Sequence, residues 1–174
     1  MSTSTASCLL SSGYTTVIPR AWHSTGTVDT AACTTLNNAK SAGILNRDVY
    51  MFPCPTCSAS AASQITSMYN YLKGSCSASW SGMIWLDIEG SQYWTGSTSA
   101  NRVWYQNLVD ACSGLTGARC GVYSSYNNWS TIFGSISYCY GSSMSLWYAH
   151  YDNVASYSDY VTFGCWPSSK LWGK

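Results

Sequence analysis

Two acidic residues, Asp87 and Glu89, stand two positions apart in the segment WLDIEG at 85–90. On an extended backbone with a rise of about 3.3 Å per residue, both side chains leave the same face, with Cα atoms roughly 7 Å apart. Two carboxylates this close raise the proton affinity of one of them. The pair therefore offers one protonated acid and one ionised carboxylate, which is the acid/base chemistry that glycoside hydrolysis requires.

Glu89 is the only glutamate in the chain, and it follows a largely apolar run that begins at Met83. Such a run is an unusual place for a solvated surface charge. The alternative is a carboxylate at a strand end that caps the next loop or binds a cation. Like charges at close range lower stability and tend to be retained for a task, which favours a catalytic interpretation.

Four aromatic residues, Tyr50, Tyr123, Trp147 and Tyr148, are predicted on strands or at strand ends. The chain has 14 tyrosines and nine tryptophans against three phenylalanines, so most of its large rings also carry a polar group. Sugar-binding clefts favour such rings, and these four are candidates for a stacking floor beneath saccharide rings. A place in the core is the alternative for each of them.

The elements that must position these residues follow from the spacing of apolar side chains. Strands are predicted at residues 14–18, 45–52, 82–87, 120–124, 145–149 and 160–166. Helices are predicted at 29–42, with Asp29 as N-cap, at 58–72, ending near Gly74, and at 99–112. Strands separated by helices imply an α/β protein with a parallel sheet, either open or closed into a barrel. Functional residues gather at the carboxyl ends of such strands, where Asp87 lies.

Length and composition limit the class of protein. The 174 residues suffice for one domain, and no linker divides 1–174. A net charge of +1, with 9% charged residues, leaves no basic field for nucleic acid or an anionic membrane. No apolar run approaches the roughly 20 residues that span a bilayer. We therefore expect a monomer that binds neither nucleic acid nor membranes.

Nine cysteines spread along the chain predict a disulfide framework formed in an oxidising compartment. The odd number leaves at least one sulfur without a partner in the chain, and the first residues lack the apolar core of a signal peptide. Cys54-Pro-Thr-Cys57 also fits a thioredoxin-like redox motif, but a short disulfide staple is favoured beside seven other cysteines. One such pair offers too few ligands for zinc, and we predict no metal and no cofactor.

Two further patterns are weak. His23 and His150 lack an accompanying Gly-x-Ser-x-Gly elbow, so a serine-hydrolase triad is not predicted. Both histidines are candidates for the lining of a cleft, but a hydrogen-bonded surface or core histidine is the favoured interpretation of each. Asn128-Trp-Ser130 fits an N-glycosylation acceptor, which agrees with secretion.

Four segments carry a family resemblance: DVYMF at 48–52, WLDIE at 85–89, GVYS at 121–124 and LWYA at 146–149. Together they resemble glycoside hydrolase family 25, the Chalaropsis-type lysozymes, in the cysteine-rich form found in amoebae and nematodes. The resemblance covers almost the whole chain. It implies a modified TIM-like (β/α) barrel. It also implies hydrolysis, with retention of configuration, of the β-1,4 bond between N-acetylmuramic acid and N-acetylglucosamine in bacterial peptidoglycan.

The resemblance also implies roles for the two carboxylates. Glu89 would be the proton donor and then the base. Asp87 would be its electrostatic partner, which stabilises or orients an intermediate formed by the N-acetyl group of the substrate. Direct attack by a carboxylate has also been considered for such enzymes.

The chain departs from the family pattern at both ends. In the family, a strand with Gly-Val/Ile-Asp-Val-Ser precedes the position of Ser2-Thr3-Ser4, and its Asp points into the active site. A last strand with a Val-Asp pair follows the position of residues 171–174. We therefore expect a barrel domain that is truncated at both termini and lacks its first and last strands. The gap would lower both stability and activity.

These inferences predict a secreted or lysosomal (phagosomal) antibacterial lysozyme. One alternative is a catalytically impaired peptidoglycan-binding module, which keeps the aromatic cleft but lacks the carboxylates of the absent strands. A disulfide oxidoreductase centred on Cys54 and Cys57 is the third hypothesis.

Overall fold

The computed structural model describes residues 1–173, which contain five α-helices and nine β-strands. The helices are Thr3–Ser11 (α1), Ala31–Ser41 (α2), Ala61–Cys76 (α3), Thr98–Ser113 (α4) and Tyr126–Phe133 (α5). The strands are Thr16–Val17 (β1), Arg20–His23 (β2), Thr27–Val28 (β3), Asn46–Arg47 (β4), Val49–Met51 (β5), Met83–Asp87 (β6), Arg119–Ser124 (β7), Ser145–Tyr148 (β8) and Leu171–Gly173 (β9).

Seven strands form one sheet in the order β3-β2-β5-β6-β7-β8-β9, and β1 pairs with β4 in a separate two-stranded sheet. All neighbours in the large sheet run parallel, except in the β2–β3 hairpin. Because parallel neighbours need crossover connections, α3, α4 and α5 connect β5 to β6, β6 to β7 and β7 to β8. The predicted α/β class with a mainly parallel sheet is confirmed.

The sheet ends at two edge strands, β3 and β9, and within residues 1–173 it does not close into a barrel. The predicted TIM-like barrel is therefore not observed as a closed structure and stays a prediction. The open sheet still places the carboxyl ends of β5, β6, β7 and β8 side by side. This edge of the sheet is where parallel α/β proteins bind their ligands.

The two faces of the sheet have different surroundings. Strand β6 is buried along its whole length, but its side chains alternate between the faces. Ile84 and Leu86 belong to the main hydrophobic core, whereas Trp85 lies outside that core cluster. Asp87 follows Trp85 by two residues and therefore lies on the same face as Trp85. The face opposite the main core carries the candidate site.

Four of the five helices begin with a serine N-cap, whose hydroxyl accepts a hydrogen bond from the backbone N–H three residues later. These serines are Ser2, Ser60, Ser97 and Ser125. Each such cap contributes about 1 kcal/mol to helix stability. Helix α2 begins differently, because the carboxylate of Asp29 accepts the N–H of Ala31.

Several sequence predictions need correction. Helices α1 and α5 are not predicted, because α1 is rich in serine and threonine and α5 spans only eight residues. The predicted strand at 160–166 is wrong, since this segment is irregular and its buried Phe163 and Trp166 pack by their rings rather than by strand pairing. Helix α3 continues two residues past Gly74, to Cys76.

Four disulfides stabilise the fold: Cys33–Cys76, Cys54–Cys57, Cys112–Cys120 and Cys139–Cys165. The first joins α2 to α3, and the third joins α4 to β7. Cys8 is exposed and is the one free cysteine of the described chain. The predicted disulfide framework and its odd sulfur are confirmed.

No helix within residues 1–173 is both long and apolar enough to cross a membrane.

Candidate active site

A cleft of about 560 Å³ opens at the carboxyl ends of the central strands. Its lining includes all six residues predicted as the carboxylate pair and the aromatic floor, namely Tyr50, Asp87, Glu89, Tyr123, Trp147 and Tyr148. They come from four neighbouring strands and from the segment after β6. The structure therefore brings the predicted site residues together in one cavity, while their individual roles stay predictions.

Asp87 is the last residue of β6 and pairs in register with Tyr123 of β7. It is only 5% exposed, and its Oδ1 atom is buried without a hydrogen-bond partner among the described residues. Burial, together with the negative charge of Glu89, raises the pKa of Asp87 to about 8. Asp87 is therefore mostly a neutral acid at neutral pH.

Glu89 lies just beyond the end of β6 and is half-buried. Burial raises the pKa of its carboxyl above the ordinary value. Glu89 also lines a second cavity of about 630 Å³, which is formed in part by the beginning of α5. The two cavities share Tyr148 and His150 as well. Glu89 thus stands where the two cavities meet.

The aromatic floor of the cleft is built from rings that support one another. The Trp147 ring meets the edge of Tyr123, with centroids 5.0 Å apart, and lies 5.8 Å from the buried Trp85. Trp85 covers β7 at Gly121, where a Cβ atom would lie only 2.5 Å from the Trp85 ring. Gly121 is therefore required for the position of Trp85 and, through it, of Trp147. Tyr50 completes the floor and is half-buried.

Tyr148 differs from the other aromatic residues of the site. It is 3% exposed and belongs to the main core, although it borders both cavities. Its hydroxyl lies 2.6 Å from Nδ1 of His150, and Nε2 of His150 lies 3.3 Å from the carboxylate of Asp159. Tyr148 is therefore mainly a core residue, as the sequence analysis allowed, whereas Tyr50, Tyr123 and Trp147 are half-buried.

Of the two histidines considered as cleft residues, His150 lines the cleft and His23 does not, whereas Tyr151 and Asp152 line it without having been predicted from the sequence. They follow directly after β8, so the rule that functional residues gather at the carboxyl ends of parallel strands was an available signal. The ring of Tyr151 is 90% exposed, and its hydroxyl is 2.7 Å from that of Tyr123. This contact links the irregular segment after β8 to the Tyr123 side of the cleft.

Within the described residues, the ligand atoms of His150, Asp152 and Asp159 lie within 4.8 Å of one another, and this group could hold a metal ion. Exposed acidic groups often gather in this way without an ion.

Neither Cys54 nor Cys57 lines the cleft, and Cys54 is only 4% exposed. Their disulfide therefore fits a structural staple better than a redox centre.

Comparisons with known proteins agree with the fold. A family model described as lysozyme-like protein 1 (Lys-1) matches residues 1–171. The probable GH family 25 lysozyme 2 of Dictyostelium discoideum is 48% identical over 164 residues, covering 94% of this chain and 74% of that protein. Lysozyme-like protein 5 of Caenorhabditis elegans is 37% identical over 176 residues, covering 99% of this chain and 79% of that protein.

A muramidase structure from Trichobolus zukalii superposes with a TM-score of 0.69, covering 92% of this chain and 76% of that chain. Its sequence identity is 22%, so this likeness shows a shared fold. The sequence relatives are much more similar and extend over nearly the whole chain. By its sequence and its fold, the chain belongs to the lysozyme-like proteins of glycoside hydrolase family 25.

Proposed function

We propose that this glycoside hydrolase is a muramidase, which cleaves the β-1,4 bond between N-acetylmuramic acid and N-acetylglucosamine in bacterial peptidoglycan. The observation that carries the proposal is the position of Asp87 and Glu89 at one strand end, in one cleft with an aromatic floor. The lysozyme names of the sequence relatives and the muramidase fold support the same substrate.

In the proposed reaction, Glu89 is the general acid and then the general base. Its place between the two cavities supports this role, because a glycan that occupies both cavities passes its scissile bond beside the Glu89 carboxyl. Glu89 gives its proton to the glycosidic oxygen as the bond to the sugar carbon breaks. The resulting carboxylate then takes a proton from the water molecule that attacks the same carbon.

Asp87 is the proposed electrostatic partner. Its Oδ1 atom lacks a protein partner, so the substrate can supply the missing hydrogen bond, for which the N-acetyl group is the proposed source. For this role Asp87 must first release its proton to solvent, because burial and the charge of Glu89 raise its pKa to about 8; the positive charge that develops at the sugar carbon then stabilises the ionised carboxylate. The two carboxyls titrate as a pair, with Asp87 holding a proton up to about pH 8.

The aromatic floor provides the proposed contacts with sugar rings. Trp147, Tyr123 and Tyr50 line the cleft and are half-buried, so their exposed surfaces are available for stacking. Burial raises the pKa of the Tyr50 hydroxyl above its ordinary value, so this group keeps its proton and can donate a hydrogen bond. Tyr148 would contribute only at its edge because its ring belongs to the core.

We also propose that the protein acts in an oxidising compartment, either outside the cell or in lysosomes and phagosomes. Its four disulfides support this location. The proposed partner is peptidoglycan alone, without nucleic acid or membrane, and the proposed active form is a monomer. The proposed reaction uses the two carboxyl groups and water.

The test is release of reducing ends from purified peptidoglycan by the 174-residue chain and by Glu89→Gln. We expect the variant to lose about 100-fold to 10,000-fold of turnover, the usual contribution of a general acid/base, and to keep its fold by circular dichroism. Asp110→Asn is the control, because Asp110 is an exposed carboxylate outside both cavities. Co-sedimentation with peptidoglycan measures binding separately.

Turnover in Glu89→Gln equal to that of the unchanged chain would refute the role of Glu89. A folded chain that co-sediments with peptidoglycan but releases no reducing ends would instead be the binding module considered above. Loss of turnover in the variant, with binding retained, is the result that the proposal expects.

A further inference from the structure

The segment that carries Glu89 is held on both sides by hydrogen bonds. On one side, the N–H of Ile88 donates to the carbonyl of Tyr123 at 2.8 Å, and the hydroxyl of the fully buried Ser124 donates to the carbonyl of Ile88 at 2.7 Å. On the other side, the N–H of Gly90 donates to Oδ1 of Asn128 at 3.2 Å. Glu89 is thus the residue between two anchored neighbours.

The backbone conformation of Gly90 orients its N–H for the hydrogen bond to Asn128. Its φ of 66° lies in the left-handed region, and a Cβ atom at this position would lie 2.8 Å from the Tyr93 ring. The chain therefore turns sharply after Glu89, as glycine permits and other residues rarely do. This turn directs the Gly90 N–H toward helix α5.

The backbone of Asn128 is held at the beginning of helix α5. It lies in the first turn of α5, where its backbone N–H donates to the N-cap hydroxyl of Ser125 at 3.1 Å. Its half-buried side chain accepts from Gly90 and also borders the second cavity together with Glu89. The first turn of α5 therefore anchors the backbone after Glu89 and also forms part of the wall of the second cavity.

We propose that Asn128 is a positioning residue, which holds the Glu89 carboxyl at the junction of the two cavities through its hydrogen bond to Gly90. The inference rests on the proposed function, because it assumes that Glu89 is the acid/base. Catalytic groups must be held closely in place, and loss of an anchor lowers the rate more than it lowers binding.

The structure also gives another meaning to the Asn128-Trp-Ser130 motif. An N-linked glycan would be attached to the amide nitrogen of Asn128, next to the cavity that this residue shares with Glu89. The amide oxygen is already engaged with Gly90. Glycosylation would use the amide nitrogen, so the hydrogen bond from Gly90 to the amide oxygen is independent of that motif.

The test compares Asn128→Ala, Asn128→Asp and the control Asn107→Ala, which removes an exposed amide from helix α4. Asn128→Ala should lower kcat about 10-fold with little change in KM, the effect of one lost positioning hydrogen bond. Asn128→Asp keeps an acceptor for the Gly90 N–H, so it should recover most of kcat at acidic pH. Asn107→Ala should match the unchanged chain.

The pH profile separates positioning from a purely structural role. The added charge in Asn128→Asp raises the proton affinity of Glu89, so the loss of activity at high pH should move to higher pH by about half a unit or more. Thermal unfolding checks that each variant is folded.

An Asn128→Ala variant with unchanged kcat would overturn the proposal. So would an Asn128→Asp variant that is as slow as Asn128→Ala at every pH. Glu89→Gln, measured alongside, identifies a different failure: if it stays active, the proposed role of Glu89 fails, whatever the Asn128 variants show.

Discussion

Replacing Asp87 by Asn should make the stability of the protein less dependent on pH. Asp87 has a pKa near 3.8 when solvated and about 8 in the folded chain, chiefly because it is buried. Between these two values the native state binds a proton that the unfolded state has released. By linkage, stability falls as the pH rises through this range, and it is fully retained only below the unfolded pKa. Asn cannot ionise and removes this dependence.

The expected size follows from the shift. One pKa unit corresponds to about 1.4 kcal/mol, so the folded chain should lose about 4 kcal/mol relative to Asp87→Asn between about pH 4 and pH 7. We expect to measure roughly half of this, because ionised Asp87 draws water into the open cleft. The burial of the Asn amide is itself unfavourable, but it contributes equally at every pH.

Urea unfolding of both proteins at several pH values, with disulfides intact, measures the difference. Asp110→Asn is the matched control, since it removes an exposed carboxylate outside the cleft. The reasoning fails if the free energies of unfolding of Asp87→Asn and of the unchanged chain keep a constant difference from about pH 4 to pH 8. It also fails if Asp110→Asn shows the same relative gain.

Three further predictions concern activity and stability. Peptidoglycan turnover should fall above about pH 8, where the pair of Asp87 and Glu89 loses its last proton, because the acid must be protonated; a rate that climbs steadily to alkaline pH would contradict this role. Trp147→Ala should raise KM several-fold more than it lowers kcat in steady-state assays, since its ring lines the cleft and offers stacking rather than proton transfer. Replacing Cys33 and Cys76 by Ser should lower the free energy of unfolding by about 4 kcal/mol, because this disulfide closes a 43-residue separation; a loss below about 1 kcal/mol would count against chain entropy as its main contribution.

Much of the site was predictable because it depends on strand periodicity. Two carboxylates at spacing two on an extended segment share a face, and the end of a buried apolar run marks the carboxyl end of a strand. The sequence also predicted Tyr123 and Trp147 on strands or at strand ends, and the structure pairs Tyr123 in register with both Asp87 and Trp147, which puts all three on one face. The structure brings these residues into one cleft, as the alternation of side chains requires.

Other features were not predictable because they depend on contacts between distant segments. The contact of Asn128 with Gly90 joins residues 38 positions apart, and it depends on how α5 packs against α4 and the segment after β6. The burial of Phe163 and Trp166 follows from ring packing in an irregular segment, which sequence periodicity mistakes for a strand. The cysteine pairing likewise depends on which helices lie side by side.

The sequence by itself determined the alternation of strands and helices, the acidic pair Asp87 and Glu89, and the supply of aromatic rings, because each is encoded within a few neighbouring residues. Only the tertiary structure decided that Asp87 is buried with an unsatisfied oxygen, while Glu89 stands between two cavities. The physical reason is that proton affinity and accessibility depend on everything packed around a carboxyl, and those neighbours come from strands and helices far apart in the chain.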